Sequence, residues 1–204
     1  MPENQKKCFM KPAVFLDRDG TINEQMGYIN HLSRFKMFPE AVSAIQRLNK
    51  AGIPVIVVTN QSGLARGYFP ESLLDEVHKC MRRQLAENGA HVDGIYICPH
   101  HPEAKEEKYR ENCDCRKPQN GLFLKAANDL QIDLSKSYVV GDRWSDLKAA
   151  ARCKAKGILV LTGYGKGDYE FIGPNQEIQP HYVAENLQDA VSFILDDLAN
   201  RGIN

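Results

Sequence analysis

The run Ala13-Val14-Phe15-Leu16 ends abruptly in Asp17-Arg18-Asp19-Gly20-Thr21, and this junction constrains the fold more than any other stretch. A short apolar run bounded by polar residues reads as a buried strand of the kind found in parallel sheets. Gly20 ends the strand soon afterwards. Side chains two apart on a strand share a face, so Asp17 and Asp19 are expected together at its carboxyl end. Open parallel sheets bind their ligands at that end. Two neighbouring carboxylates repel each other, and a metal ion relieves the repulsion.

The rest of the chain repeats strand then helix, which predicts an α/β fold with a central parallel sheet flanked by helices. Strands are expected at residues 13–16, 55–58, 95–97, 138–140 and 158–161, with a brief sixth at Tyr182-Val183. The first helix starts near Pro39, a residue suited to a first turn, and stops before Gly52. Helices follow at about 70–88 and 121–130, the latter with Leu122, Phe123, Ala126, Ala127 and Leu130 inward. A short helix contains Asp146, Leu147, Ala150 and Ala151. A last helix buries Leu187, Val191, Ile194, Leu195 and Leu198. His78 and Cys80 read as ordinary residues of the second helix.

A length of 204 residues suggests one domain, residues 1–204. Lys+Arg and Asp+Glu both number 26, so no excess charge points to nucleic acid or an anionic membrane. Residues 1–11 are polar and lack the apolar stretch of a signal peptide. No run approaches the roughly 20 apolar residues of a membrane span. The expectation is a soluble, cytoplasmic protein.

Three predicted strands end in chemically useful residues: Asp17 and Asp19, Thr59-Asn60, and Asp142. In a parallel sheet all three ends lie on one edge. Carboxylates hold Mg²⁺, which bridges to phosphate. A hydroxyl such as Thr59 and a cation such as Lys117 hold phosphoryl oxygens as charge develops on them. One carboxylate can serve as nucleophile, and a second can pass a proton to the leaving oxygen and later take one from water.

With these residues in place the chain resembles the haloacid dehalogenase (HAD) superfamily. Asp17-Arg18-Asp19-Gly20-Thr21 is similar to its Asp-x-Asp-x-Thr signature, Thr59 to its second motif and Lys117 to its third. Gly141-Asp142-Arg143-Trp144-Ser145-Asp146 is similar to its fourth, Gly-Asp-x-x-x-Asp. Residues 13 to about 163 further resemble the superfamily's heptose 1,7-bisphosphate 7-phosphatases. The matching words include Gly27-Tyr28, Thr59-Asn60-Gln61-Ser62-Gly63, Cys98-Pro99-His100-His101-Pro102 and Cys113-Asp114-Cys115-Arg116-Lys117-Pro118.

That resemblance implies a HAD-like Rossmannoid fold with a zinc-binding loop, about 98–117, in place of a large cap domain. It implies Asp17 as nucleophile and Asp19 as general acid/base. Mg²⁺ is then held by Asp17, Asp142 and the Asp19 carbonyl, while Thr59 and Lys117 steady the phosphoryl group. Arg18, Gln25, Met26, Gly27, Tyr28, Asn60, Gln61, Ser62 and Arg116 are expected around a small phosphorylated sugar. Lysine more often follows the fourth-motif Asp, so Arg143 departs from the pattern. Asp146 is expected to orient a metal-bound water or Lys117. The small cap makes a monomer plausible. The family's reaction serves nucleotide-activated heptose supply for lipopolysaccharide and other surface glycans.

The six cysteines are Cys8, Cys80, Cys98, Cys113, Cys115 and Cys153. Cys98, Cys113 and Cys115, with an imidazole, make a tetrahedral donor set for structural Zn²⁺. His100 and His101 are both candidates, and the resemblance favours His100. A metal would tie the ends of a polar loop that lacks an apolar stripe of its own, and would fix Arg116 and Lys117. Residues 163–180 read as a flexible connector. No helix is expected after Gly163-Tyr164-Gly165-Lys166-Gly167, which removes a nucleotide-binding reading. Two alternatives remain. Histidinol-phosphate phosphatases share the catalytic words, but the twelve residues between His100 and Cys113, and Gly27-Tyr28, point away from them. A non-catalytic protein binding a partner through its zinc loop conflicts with the presence of every catalytic group.

Overall fold

Six strands form one sheet in the order β3-β2-β1-β4-β5-β6, and every neighbouring pair is parallel. The computed structural model describes residues 10–202. Cys8 and most of the polar N-terminus lie outside the described residues. The strands are β1 Val14–Leu16, β2 Val55–Asn60, β3 Gly94–Cys98, β4 Tyr138–Gly141, β5 Lys156–Val160 and β6 Tyr182–Ala184. The chain reverses its direction of winding at β1, which lies between β2 and β4. That arrangement opens a crevice above the carboxyl ends of the three central strands.

Strand alternation divides the core in two. Val14, Leu16, Val55 and Val57 face one side, where they meet α1 (Pro39–Lys50), α3 (Glu71–Glu87) and α7 (Leu187–Asn200). Phe15, Ile56 and Val58 face the other, against α4 (Gly121–Leu130) and α5 (Trp144–Arg152). On α1 the residues Ala41, Ala44, Ile45 and Leu48 supply the buried stripe. Burying each large aliphatic side chain stabilises the fold by about 1.5–3 kcal/mol.

Several sequence expectations change in detail. Leu130 is exposed, because α4 ends there and the left-handed residue Gln131 turns the chain away. A short helix, α2 (Ser62–Ala65), follows β2. The polar loop after β3 buries Ala104 and Tyr109 against Leu64, Ala65, Phe69 and Leu74. The backbone N–H groups of Lys105 and Glu106 both donate to the Ala65 carbonyl. The connector is not structureless: α6 (Gly165–Gly167) opens a series of helical turns through Asp168–Ile172 and Gly173–Asn175. Asp168 explains why this segment stays in place, since its carboxylate accepts from the Trp144 backbone N–H at the start of α5, 2.9 Å away.

Leu48 is fully buried on α1 and remote from the sheet edge that carries Asp17. Leu48→Ala is expected to lower unfolding free energy by about 2–5 kcal/mol, measured by urea denaturation, with kcat unchanged in the folded fraction.

Candidate active site

Asp17 follows β1 directly, and its backbone N–H donates to the Val140 carbonyl at 2.9 Å, extending the pairing with β4. The end of β4 supplies Asp142, and the first turn of α5 supplies Asp146. Oxygen atoms of Asp17, Asp142 and Asp146 lie within 4.8 Å of one another. Lys117 reaches into this group from the loop after the cysteines. Its Nζ is 2.9 Å from Asp17 Oδ1 and 2.6 Å from Asp146 Oδ1, and it donates to the Val58 carbonyl at 2.8 Å. Asn60 fixes the base of that lysine: its amide accepts from the Lys117 N–H and donates to the Lys117 carbonyl, each at 3.1 Å.

The site is buried and unbalanced. Burial opposes the charge on Lys117, but the Asp146 and Asp17 carboxylates outweigh it and hold the ammonium well above its usual range. Burial pushes Asp142 up to about 8, with Asp17 and then Asp146 adding repulsion. Burial also raises Asp146 to about 6, against the pull of Lys117. Asp146 has a second duty, since its Oδ2 accepts from the Arg143 N–H at 3.2 Å and caps α5.

A divalent cation fits this arrangement. Asp142 Oδ1 is buried and lacks a hydrogen-bond partner, while Oδ2 accepts from the Tyr164 N–H at 2.8 Å. The backbone has been cleared around this carboxylate. A Cβ at Gly20 (φ +86°) would lie 2.0 Å from Asp142 Oδ2, and one at Gly163 (φ +58°) 2.1 Å from it. Both φ values also belong to the left-handed region that favours glycine.

Asp19 has a different environment. Arg18 Nη2 lies 2.8 Å from Asp19 Oδ2 and 3.0 Å from Oδ1, Asn23 donates to Oδ1 at 2.9 Å, and Gln61 donates to Oδ2 at 2.8 Å. Burial works against ionisation, but Arg18, Asn23 and Gln61 together hold the carboxyl below its usual range. Gln61 Nε2 also lies 2.9 Å from Thr59 Oγ1 and links the two groups. Behind Arg18 stands His78, kept down to about 3 by burial and then by the guanidinium, so the ring is neutral.

A cleft of about 420 Å³ opens over these groups. Asp17, Asp19, Thr59, Lys117 and Asp142 line it, together with the expected Gln25, Gly27, Tyr28, Asn60, Gln61, Ser62 and Arg116, and Arg143, which departs from the family pattern, lines it as well. Two expectations fail. Arg18 is buried behind Asp19 and does not line the cleft, its guanidinium being taken up by Asp19 and His78. Met26 does not line the cleft, and its carbonyl accepts from Arg34. Arg66, Ser145 and Tyr164 line the cleft without having been singled out in the sequence. Arg66 belongs to the Gly63-Leu64-Ala65-Arg66 stretch that continues a matched word, which was the available signal. Arg143 is half exposed, pairs with Asp168 at 3.6 Å and lies over the Tyr164 ring at 4.5 Å.

The four donors Cys98, His100, Cys113 and Cys115 also gather within 4.8 Å. Cys98 ends β3, and the sulfurs of Cys98 and Cys113 lie 3.1 Å and 3.0 Å from Cys115 Sγ. Burial, with Cys113 adding to it, pushes Cys98 up to about 11. Cys113 is pulled down to about 7, where hydrogen bonds from Cys115 and His100 outweigh burial. Three sulfurs and one imidazole fit a zinc-binding loop. The geometry separates the two imidazoles. His100 turns Nδ1 to Cys115 and Nε2 to Glu111, the carboxylate partner common behind a metal-binding histidine. His101 instead faces Arg66 at 3.0 Å.

A parallel sheet with Asp17, Thr59 and Asp142 at its central strand ends, and Lys117 reaching them from a loop, is the architecture of HAD-type phosphohydrolases, and a family model described as HAD-hydrolase-like matches residues 114–190. A relative from Escherichia coli O6:H1, D-glycero-beta-D-manno-heptose-1,7-bisphosphate 7-phosphatase, is 43% identical over 178 residues, which cover 87% of this chain and 91% of that one. The Haemophilus influenzae protein of the same name is 44% identical over 169 residues, 80% of this chain and 91% of its own. The crystal structure of D,D-heptose 1,7-bisphosphate phosphatase from B. bronchiseptica, complexed with magnesium and phosphate, superposes with a TM-score of 0.81. It is 35% identical and covers 92% of this chain and 99% of its own. The chain belongs to the heptose 1,7-bisphosphate 7-phosphatase family.

Gly20→Ala is expected to displace Asp142 and to raise the Mg²⁺ concentration for half-maximal phosphatase activity at least about tenfold, because a misplaced ligand weakens the ion's whole shell. A magnesium titration of the folded variant measures this.

Proposed function

We propose that this chain hydrolyses the 7-phosphate of D-glycero-β-D-manno-heptose 1,7-bisphosphate. The observation that carries the reading is the 43% identity to a relative named for that reaction, over 91% of that relative's length. The cleft chemistry supports it. A bisphosphate needs two places for anions. Thr59 and Lys117 serve the phosphoryl group over Asp17, and Arg66 and Arg116 offer positive charge elsewhere along the same cleft.

In the first step a carboxylate oxygen of Asp17 attacks phosphorus as the bond to the sugar's C7 oxygen breaks. Asp19, protonated as the phosphate's negative charge enters the cleft, gives that oxygen its proton. In the second step Asp19 takes a proton from water, the water oxygen attacks the phosphoryl group, and free phosphate leaves Asp17. Lys117 and Thr59 hold the phosphoryl oxygens throughout, and Asp146 keeps Lys117 in place. Mg²⁺ would be held by Asp17, Asp142 and the Asp19 carbonyl, and supplies positive charge for the phosphoryl oxygens when bound. Zn²⁺ would be held by Cys98, His100, Cys113 and Cys115, with no open position and so a structural role. When bound it would anchor the loop whose next residues are Arg116 and Lys117. The heptose 1-phosphate product suits nucleotide activation for lipopolysaccharide precursors, with the enzyme acting as a cytoplasmic monomer.

Phosphate release from both heptose bisphosphate anomers, fructose 1,6-bisphosphate and histidinol phosphate tests the assignment. The β anomer is expected to have the highest kcat/KM, and Asp17→Asn to abolish turnover. A preference for histidinol phosphate overturns the assignment. Cys113→Ser is expected to lose bound zinc and to narrow the kcat/KM gap between the heptose ester and the others. Zinc loss with unchanged selectivity, measured by metal analysis and the same panel, removes the positioning role.

A further inference from the structure

We propose that His78 and Arg18 form a positioning relay for the Asp19 carboxylate, setting the orientation in which it meets the leaving oxygen of an alkyl phosphate. The inference rests on the acid/base role given to Asp19 above. Its starting point is a pair that the catalytic chemistry does not use. Arg18 is 1% exposed, and its guanidinium is divided between two partners. Nε and Nη2 form a fork on Asp19, at 3.3 Å and 3.0 Å from Oδ1, with Nη2 also 2.8 Å from Oδ2. Nη1 points the other way, 3.1 Å from His78 Nε2.

An arginine only donates, so His78 Nε2 must accept, and the ring's proton sits on Nδ1. A guanidinium is planar and rigid. Fixing Nη1 on His78 therefore fixes the plane that the Asp19 carboxylate must share. His78 is on α3, whose buried residues Val77 and Met81 anchor it in the core. The carboxylate's orientation is thus referred through two side chains to a helix packed against the sheet.

The remaining donors divide into an inner and an outer set. Arg18 and Asn23 are buried, and neither lines the cleft. Gln61 lines it and bonds Asp19 Oδ2 from that side. Oδ2 is therefore the atom presented for proton transfer, and Gln61 is the donor that yields its place. In the affected step Asp17 forms its bond to phosphorus, and the bond from phosphorus to the leaving oxygen breaks with its electron pair staying on oxygen. The proton that Asp19 takes up at Oδ2 as the phosphate's negative charge enters the cleft passes to that oxygen.

The test exploits the leaving group. An alkoxide needs that proton, whereas the phenolate leaving p-nitrophenyl phosphate does not. Magnesium-loaded His78→Leu, which keeps bulk but removes the acceptor, is compared with wild type on both kinds of ester. The alkyl ester is whichever one the wild-type enzyme turns over best, so an error in the substrate assignment does not enter. The expected loss in kcat/KM is about 10- to 100-fold on the alkyl ester and under about threefold on p-nitrophenyl phosphate, with His78→Gln, whose carbonyl can accept from Arg18, restoring most of it. Equal losses on both esters, no loss on the alkyl ester, or a glutamine variant no better than leucine overturns the proposal. Should the leucine variant not fold, ¹⁵N NMR of the wild-type holoenzyme decides, with His78→Gln used for assignment. A neutral Nδ1–H tautomer at His78 is required, and an Nε2–H tautomer overturns the relay.

Discussion

The buried ammonium of Lys117, held between Asp17 and Asp146, is the interaction on which the site depends. It joins three parts of the chain that are distant in sequence: the end of β1, the first turn of α5 and the loop that follows the cysteines. Removing one member of such a buried pair typically costs about 3–5 kcal/mol, because the partner is left charged in a poor solvent. One ammonium does not balance the three carboxylates around it. The remaining negative charge is what makes the cluster receptive to a divalent ion, and it adds to burial in raising Asp142. Asp19 stands outside this balance, since Arg18 neutralises it separately. Two carboxylates one residue apart therefore live in different electrostatic circuits. That separation suits the two roles proposed for them, nucleophile for Asp17 and proton carrier for Asp19.

Much of this was legible in the chain. The apolar runs at β1, β2 and β4 each stop at a polar residue, and a parallel sheet then has no choice but to gather Asp17, Thr59 and Asp142 at one edge. The cysteine pairs were equally readable, because ligand spacing is local. The failures share a physical cause. Arg18 sits in the middle of a recognisable signature, yet its side chain answers to His78, a residue sixty positions away that looked like an unremarkable helix residue. Pattern reading sees neighbours along the chain and misses partners across it. Residues 165–175 include three glycines and a proline, a composition that argues against helix. Tertiary ties from Asp168 to α5 and from Tyr164 to Asp142 override that composition. Leu130 fitted the apolar stripe of α4, but the stripe outlasts the surface it packs on.

The cysteine–histidine loop shows how a polar segment becomes structure without an amphipathic element. Its ends converge on four metal-type donors, its middle inserts Ala104 and Tyr109 into a small apolar cluster, and its exit is clasped by Asn60. Each tether acts at a different point, so the loop is fixed along its length. Arg116 and Lys117 inherit that fixity directly from Cys115, their neighbour in the chain.

The rim of the cleft has one more property. Tyr28 meets Tyr68 edge to face at 4.7 Å, Arg143 lies across Tyr164, and Asn60 holds the backbone of Lys117. The walls are thus braced against one another before any sugar arrives. The entropy of arranging them is lost once, when the chain folds, and not again at each encounter. Such a vessel discriminates by the shape and charge it already has.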